Sequence, residues 1–498
     1  MRSFMRILRI GVAALVLPLA IGEPGAARIT APRNAIRPQH RPLQAVSARK
    51  PAFRRNSTSE CSADYDTAGY FFLGVPNGSD VAAGEYSAVL GGDGNEACDD
   101  EAGVGAGGNN VVGTEASSSF DAAGDENEID GNDSFDGAGT QNNVSGPYSF
   151  VGAGSHNSAS GTASFVGGGD TEYVVMGHHD DDQLGNQATG RDTFVGTGDL
   201  NSVSGNGSFI GGGGYTYAST GASVPGNIIS GTDSFVGAGD LNSIAANQAF
   251  VGGGMSNAIA AAATYSTISG GARNSAGAQY AAVIGGYGNA ATGQYAVIAG
   301  GDGNQASGTL SFAGGYHAGA VNNGSFVWSD YSSGSALVKD KAANQFVVRA
   351  SGGTYVYSNE AATAGVKLAA GSGTWASSSD RNAKTDIAVL DDASILAKVA
   401  TLPIDEWRYK SETGVRHVGP MAQDFYAAFG VGEDDRHITS IDEDGVALAA
   451  IKALHRENRE ARRREAGKDV EINRLSGDVA ELRAELHRLE ASVAASRR

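Results

Sequence analysis

The residues best suited to chemistry lie late in the chain. Ser377-Ser378-Ser379-Asp380-Arg381-Asn382-Ala383-Lys384 sets a serine hydroxyl five residues before a lysine amine. A serine is a weak nucleophile until a base removes its proton. A lysine can be that base only when neutral, a state favoured by burial or by a neighbouring positive charge. Arg381 offers such a charge, and an interface between chains would offer burial. Read alone, three consecutive serines are equally a plain linker.

Other ligand-type residues carry less. His178-His179-Asp180-Asp181-Asp182 sits in an insertion and reads first as a solvated acidic loop. Gly91-Gly92-Asp93-Gly94-Asn95 and Gly300-Gly301-Asp302-Gly303-Asn304 resemble the calcium nonapeptides of toxin β-rolls only faintly, because they lack the Asp needed at the sixth position. No metal site and no cofactor are expected. Cys61 and Cys98 are the two cysteines. One disulfide is compatible with an exporting compartment, but spacing alone leaves their pairing open.

The elements that must position these groups follow from composition and periodicity. The chain has 498 residues, of which 73 are glycine, about twice ordinary usage. Its glycines lack a three-residue period, which excludes collagen, and a hydrophobic share of 41% excludes a disordered polymer. The net charge of −19 is uneven: residues 1–55 hold 11 Arg and Lys and 1 acid, whereas residues 56–325 hold 2 bases and 28 acids. Such an acidic block repels phosphate backbones, so no nucleic-acid partner is expected. Arg2, Arg6 and Arg9 followed by the apolar run Ile10–Gly22 and the small residues Gly25-Ala26-Ala27 predict an export signal over 1–27. That run is too short for a confident span, so no membrane span is expected in the mature chain. A Pro- and Arg-rich linker follows over 28–60.

From there a repeat of 15 residues dominates, written G-x-x-N-x-(V/A/I)-x-G-x-x-S-F-x-G-x. Phe120, Phe135, Phe150 and Phe165 keep this interval, as do Asn127, Asn142 and Asn157; the asparagine recurs through Asn304 around insertions near 170–182 and 214–226. Short alternating runs between glycine-rich turns predict strands, and stacked coils would align equivalent residues into ladders. The phenylalanines would then stack, with glycine supplying the positive φ of tight corners. The asparagines are predicted either to form an amide ladder or simply to tolerate left-handed turns. A coil this thin buries little surface alone, which favours packing of several chains. Residues 85–325 resemble the head repeats of trimeric autotransporter adhesins. This resemblance implies a left-handed parallel β-roll, a homotrimer and a surface role, with a host-surface molecule or glycan as the class of ligand. Those adhesins end in membrane-barrel strands, whereas this chain ends in charged helix, so their secretion mechanism is not expected.

Residues 379–465 resemble the intramolecular chaperone auto-processing domain of phage endosialidases and tail fibres, a Ser/Lys self-cleaving peptidase family. The motifs are Ser379-Asp380 with Lys384, His417-Val418-Gly419-Pro420-Met421-Ala422-Gln423-Asp424, and Asp444-Gly445-Val446-Ala447-Leu448 leading into a helix. The resemblance implies that Ser379 is the nucleophile, Lys384 the general base, and Ser378–Ser379 the bond broken. It further implies that His417 orients or polarises and that the Gly419 amide stabilises an oxyanion. Asp380 reads as structural.

The last segment predicts self-association independently. Ile472, Leu475, Val479, Leu482, Leu486, Leu489 and Val493 keep a 3-4 spacing that makes a parallel coiled-coil seam, with polar Asn458, Glu465 and Lys468 upstream. The expected fold is mainly β: a solenoid over 61–325, a neck over 326–378, a small α+β chaperone domain over 379–450 and a coiled coil over 451–498. The expected function is an exported trimeric fibre that aligns its chains and cleaves itself. The alternatives are a non-cleaving adhesin-like binding protein and, lower, a carbohydrate-degrading spike, for which the repeats offer no convincing carboxylate pair.

Overall fold

The computed structural model describes Cys61 and residues 71–72, 80–169, 185–214, 226–332, 334 and 336–497, all within the unit Ser59–Arg498. The predicted export signal, the linker and the His178–Asp182 insertion lie outside the described residues. Each coil contributes one short strand, most often of two residues, to each of two parallel sheets, as in Asn143–Val144 and Phe150–Val151. Neighbouring coils pair in register one repeat apart, Asn143 with Ser158 and Phe150 with Phe165. Among the described residues the two sheets hold 17 and 16 strands. The insertions leave the ladder unbroken: Phe165 pairs with Phe194, and Phe209 with Phe235.

Alternation decides what is inside. Val144, Val151, Val166, Val195 and Ile210 are buried completely, and the asparagines and serines of the repeat lie beside them. The phenylalanines point outward and stack: Phe150, Phe165, Phe194 and Phe209 follow one another with centroids 4.8, 4.8 and 4.5 Å apart. The core is too narrow for a benzyl group, and the residue two positions on explains where the ring goes. A Cβ on Gly152 would lie 3.3 Å from the Phe150 ring and 2.4 Å from the carbonyl of Gly167. Where Thr267, Ala282 and Val297 replace phenylalanine, that glycine becomes Ser269, Ile284 and Ala299, and Tyr265, Tyr280 and Tyr295 stack at the preceding corner instead.

The asparagines form the amide ladder. Asn142 Oδ1 accepts from the Asn157 backbone N–H and from its Nδ2, both at 3.1 Å, while Asn157 Nδ2 also donates to the Gly169 carbonyl. The left-handed residue is the one before, Gln141 at φ 58° and His156 at φ 57°. Glycine therefore supplies only part of the positive φ expected of it: Gly154 adopts 111°, but Tyr148 at 60° makes the other corner without being glycine. Cys61 and Cys98 are joined in a disulfide.

The ladder also runs past the predicted end of the repeats. Phe326–Ser329 and Phe346–Arg349 continue one sheet and Val338–Lys339 the other, so the first part of the expected neck is solenoid. Asp330 secures this end. The Ser332 hydroxyl, the Ser351 hydroxyl and amide, and the Arg349 guanidinium hold its carboxyl well below the usual range. An antiparallel sheet of Gly353–Tyr357, Gly365–Ala369 and Trp375–Ser377 follows. Beyond it lie helix α1 (Asp392–Val399), the hairpin Asp405–Trp407/His417–Gly419, helix α2 (Ala422–Phe429) and helix α3 (Ser440–Ser496). Asp391 caps α1 and Thr439 caps α3 through side-chain oxygens. Helix α1 is tied to α3 by Asp392, which binds Arg456 at 2.9 Å and Lys452 at 3.5 Å.

Candidate active site

The last strand of the antiparallel sheet delivers the serines. The Ser378 amide still donates to the Gly365 carbonyl at 2.9 Å, and the chain then leaves the sheet. Asp380 starts the next element by accepting from the Asn382 backbone N–H at 2.9 Å and from its Nδ2 at 3.2 Å. This cap holds one 3-10 turn, Arg381–Ala383, and the turn reverses the chain. Lys384 is thereby returned to the start of its own motif, where Nζ donates to Ser379 Oγ at 2.6 Å. Serine and lysine are in hydrogen-bond contact and both exposed in the single chain.

The other two predicted site residues lie together on the hairpin. Trp407 pairs with His417, and Asp405 with Gly419. His417 stacks on the Trp407 ring at 4.8 Å, meets Tyr409 edge-on at 5.6 Å, and contacts Glu412 Oε2 through Nε2 at 2.9 Å. Its polar bond is therefore made to Glu412 and not to the Ser379–Lys384 pair. A Cβ on Gly419 would meet Trp407 Nε1 at an ordinary 3.9 Å, so packing within one chain does not demand glycine there. Trp407 Nε1 is buried with no hydrogen-bond partner among the described residues. The sequence alone does not mark Trp407 or Glu412 as neighbours of His417. Their proximity to His417 depends on the hairpin register, and no local motif announces it.

The segment that begins at the lysine-bound serine and carries this hairpin can be compared with known families. Residues 379–431 match the chaperone of endosialidase family. The match starts at Ser379, includes Lys384, His417 and Gly419, and ends just beyond α2. The chaperone-of-endosialidase family is the self-cleaving chaperone domain, and its place behind a β-solenoid fits a tail-fibre-like protein. No curated protein matches the chain. Among the described residues, no helix is long and apolar enough to cross a membrane. The one grouping of metal-ligating types among them is Cys61, Glu96 and Cys98, whose two sulfurs are joined to each other.

Proposed function

We propose that this chain is an exported homotrimeric fibre whose C-terminal segment registers three chains and then severs itself at Ser378–Ser379. The observation that carries the reading is the 2.6 Å contact between Lys384 Nζ and Ser379 Oγ at the head of the family match. Ser379 Oγ adds to the carbonyl carbon of Ser378 while its proton passes to Lys384. The carbon–nitrogen bond breaks, and that proton moves to the departing Ser379 nitrogen. The resulting ester is hydrolysed by water to the Ser378 carboxylate and the free Ser379 hydroxyl. Lysine acts as a base only when uncharged, and closure of neighbouring chains over this exposed pair would favour that form. Cleavage thus follows assembly.

Exposed large apolar side chains in the C-terminal region support association of chains. Tyr355, Val356, Trp375, Ile387, Val389, Leu390 and Val418 are all exposed in the single chain. So are Ile472, Leu475, Val479, Leu482, Leu486, Leu489 and Val493 on α3. Burial of such surface is the main driving force for association. Roles for His417 in orientation and for the Gly419 amide in oxyanion stabilisation require the hairpin to close on the dyad in the assembly. Ser379→Ala and Lys384→Ala are each expected to leave the secreted chain intact on a denaturing gel, whereas the natural chain gives separate species ending at 378 and beginning at 379. Continued cleavage at that bond in either variant would overturn the dyad.

A further inference from the structure

Two coils of the solenoid break the rule that the residue after phenylalanine is apolar. Asp121 follows Phe120 and Asp136 follows Phe135, where later rungs carry Val151, Val166, Val195, Ile210 and Val236. The two aspartates are direct register partners, one coil apart. Both are completely buried, and none of their four carboxylate oxygens makes a well-formed hydrogen bond among the described residues. The asparagine ladder is altered beside them. Asn127 and Asn142 keep the backbone link to the preceding Oδ1, but their Nδ2 groups do not make the amide–amide rung formed at Asn110, Asn157 and Asn201. A similar lapse occurs at Asn186, which follows the insertion.

The surroundings offer no compensating charge. In register, Val104 flanks Asp121 and Val151 flanks Asp136. The interior residues of the opposite sheet in these coils are Val112, Ile129 and Val144. The other titratable groups of these coils, Glu115, Asp125, Glu126, Glu128, Asp130, Asp133, Tyr148 and His156, are all at least partly exposed, and none is a lysine or arginine. No lysine or arginine occurs between residues 56 and 190. Two ionised carboxylates about 5 Å apart in such a core would repel strongly and lack solvation.

We infer that Asp121 and Asp136 form a proton-holding rung, which keeps the N-terminal coils closed in acid and loosens them as the pH rises. Burial pushes Asp121 from its ordinary 3.8 up to about 7 and Asp136 up to about 8, the latter raised further by the charge of Asp121. Backbone groups of Ala123 and Ala138 and the amides of Asn127 and Asn142 pull the other way, more weakly. The folded coils therefore bind protons that the unfolded chain has released. Stability is complete below the ordinary carboxylate range and declines as the pH climbs through these raised values.

Hydrogen exchange on the full chain, corrected for intrinsic rates, tests this. Between pH 5 and pH 8 the opening constant for residues 111–151 should rise at least about a hundredfold, while that for residues 228–268 stays level. Asp121→Val with Asp136→Val, which restores the common residue of the rung, should abolish the rise. Asp121→Asn with Asp136→Asn serves the same purpose should the first pair fail to fold. The natural chain at pH 5 should also show an infrared carbonyl band of a protonated carboxylic acid that the variants lack. A level response in the natural chain, a rise that survives in the folded variants, or absence of that band would overturn the proposal. Recovery of protection at pH 8 on adding calcium chloride would overturn it in favour of a cation site.

Discussion

The solenoid and the C-terminal region solve the problem of burial in opposite ways. Each coil finds its partners in the coils above and below, so Val151, Asn157 and Ser164 are all buried within one chain. The C-terminal region has few such residues: Ile395, Phe425, Ala450 and Ala453 are buried, whereas Val389 is 100% and Val418 74% exposed. A parallel stack is stable once formed, but the contacts between neighbouring coils join residues one repeat or more apart in sequence and must be found in the correct register. In the proposed assembly, the apolar surface that this segment leaves open would give a registering clamp its affinity for copies of itself. Its dyad is equally exposed, so one event, closure of the chains, would finish the clamp and arm its removal.

The contrast can be tested from both sides. Leu482→Glu with Leu489→Glu should have the largest effect, complete loss of the oligomer held by α3 in sedimentation, since both side chains are exposed in one chain and cost that chain little. If the variant stayed oligomeric, the seam would not be the clamp. A smaller effect is expected of Asn242→Ala within the solenoid. That change removes the bonds from Nδ2 to Asn227 Oδ1 and to the Gly254 carbonyl, both 2.9 Å, and strands the Asn257 amide. A local loss of about 3 kcal/mol follows, visible as faster exchange across residues 227–271, with oligomer and cleavage retained. The smallest effect is expected of Phe209→Ala, which lies between Phe194 and Phe235 at 4.5 and 5.0 Å on the outer face. Its loss should cost about 1 kcal/mol, read as a small fall in urea midpoint. A cost as large as that of Asn242→Ala would mean that the phenylalanine face is buried against another chain.

Much of the solenoid was legible because its period and its alternation are local properties. Equivalent residues 15 apart had to stack, and short runs between glycines had to be strands. The contact between Ser379 and Lys384 is local for the same reason, five residues spanned by a single capped turn. The end of the repeats was not, because the interval lengthens between Phe326 and Phe346 while the pairing continues. The surroundings of His417 were not either, since Glu412, Trp407 and Tyr409 reach it only through the hairpin.

By itself, then, the order of residues determined the coil length, the stacking register, the 3-4 apolar spacing along α3 and the closeness of Ser379 to Lys384. All of these depend on spacing along one chain. Only the tertiary structure decided that phenylalanine lies outside and valine inside, that the asparagines bond to one another, and that Cys61 meets Cys98. It alone brought Asp121 over Asp136 in a sealed core. The physical reason is that alternation separates two faces without saying which is inside. The width of the closed coil makes that choice, by admitting a valine and excluding a benzyl ring.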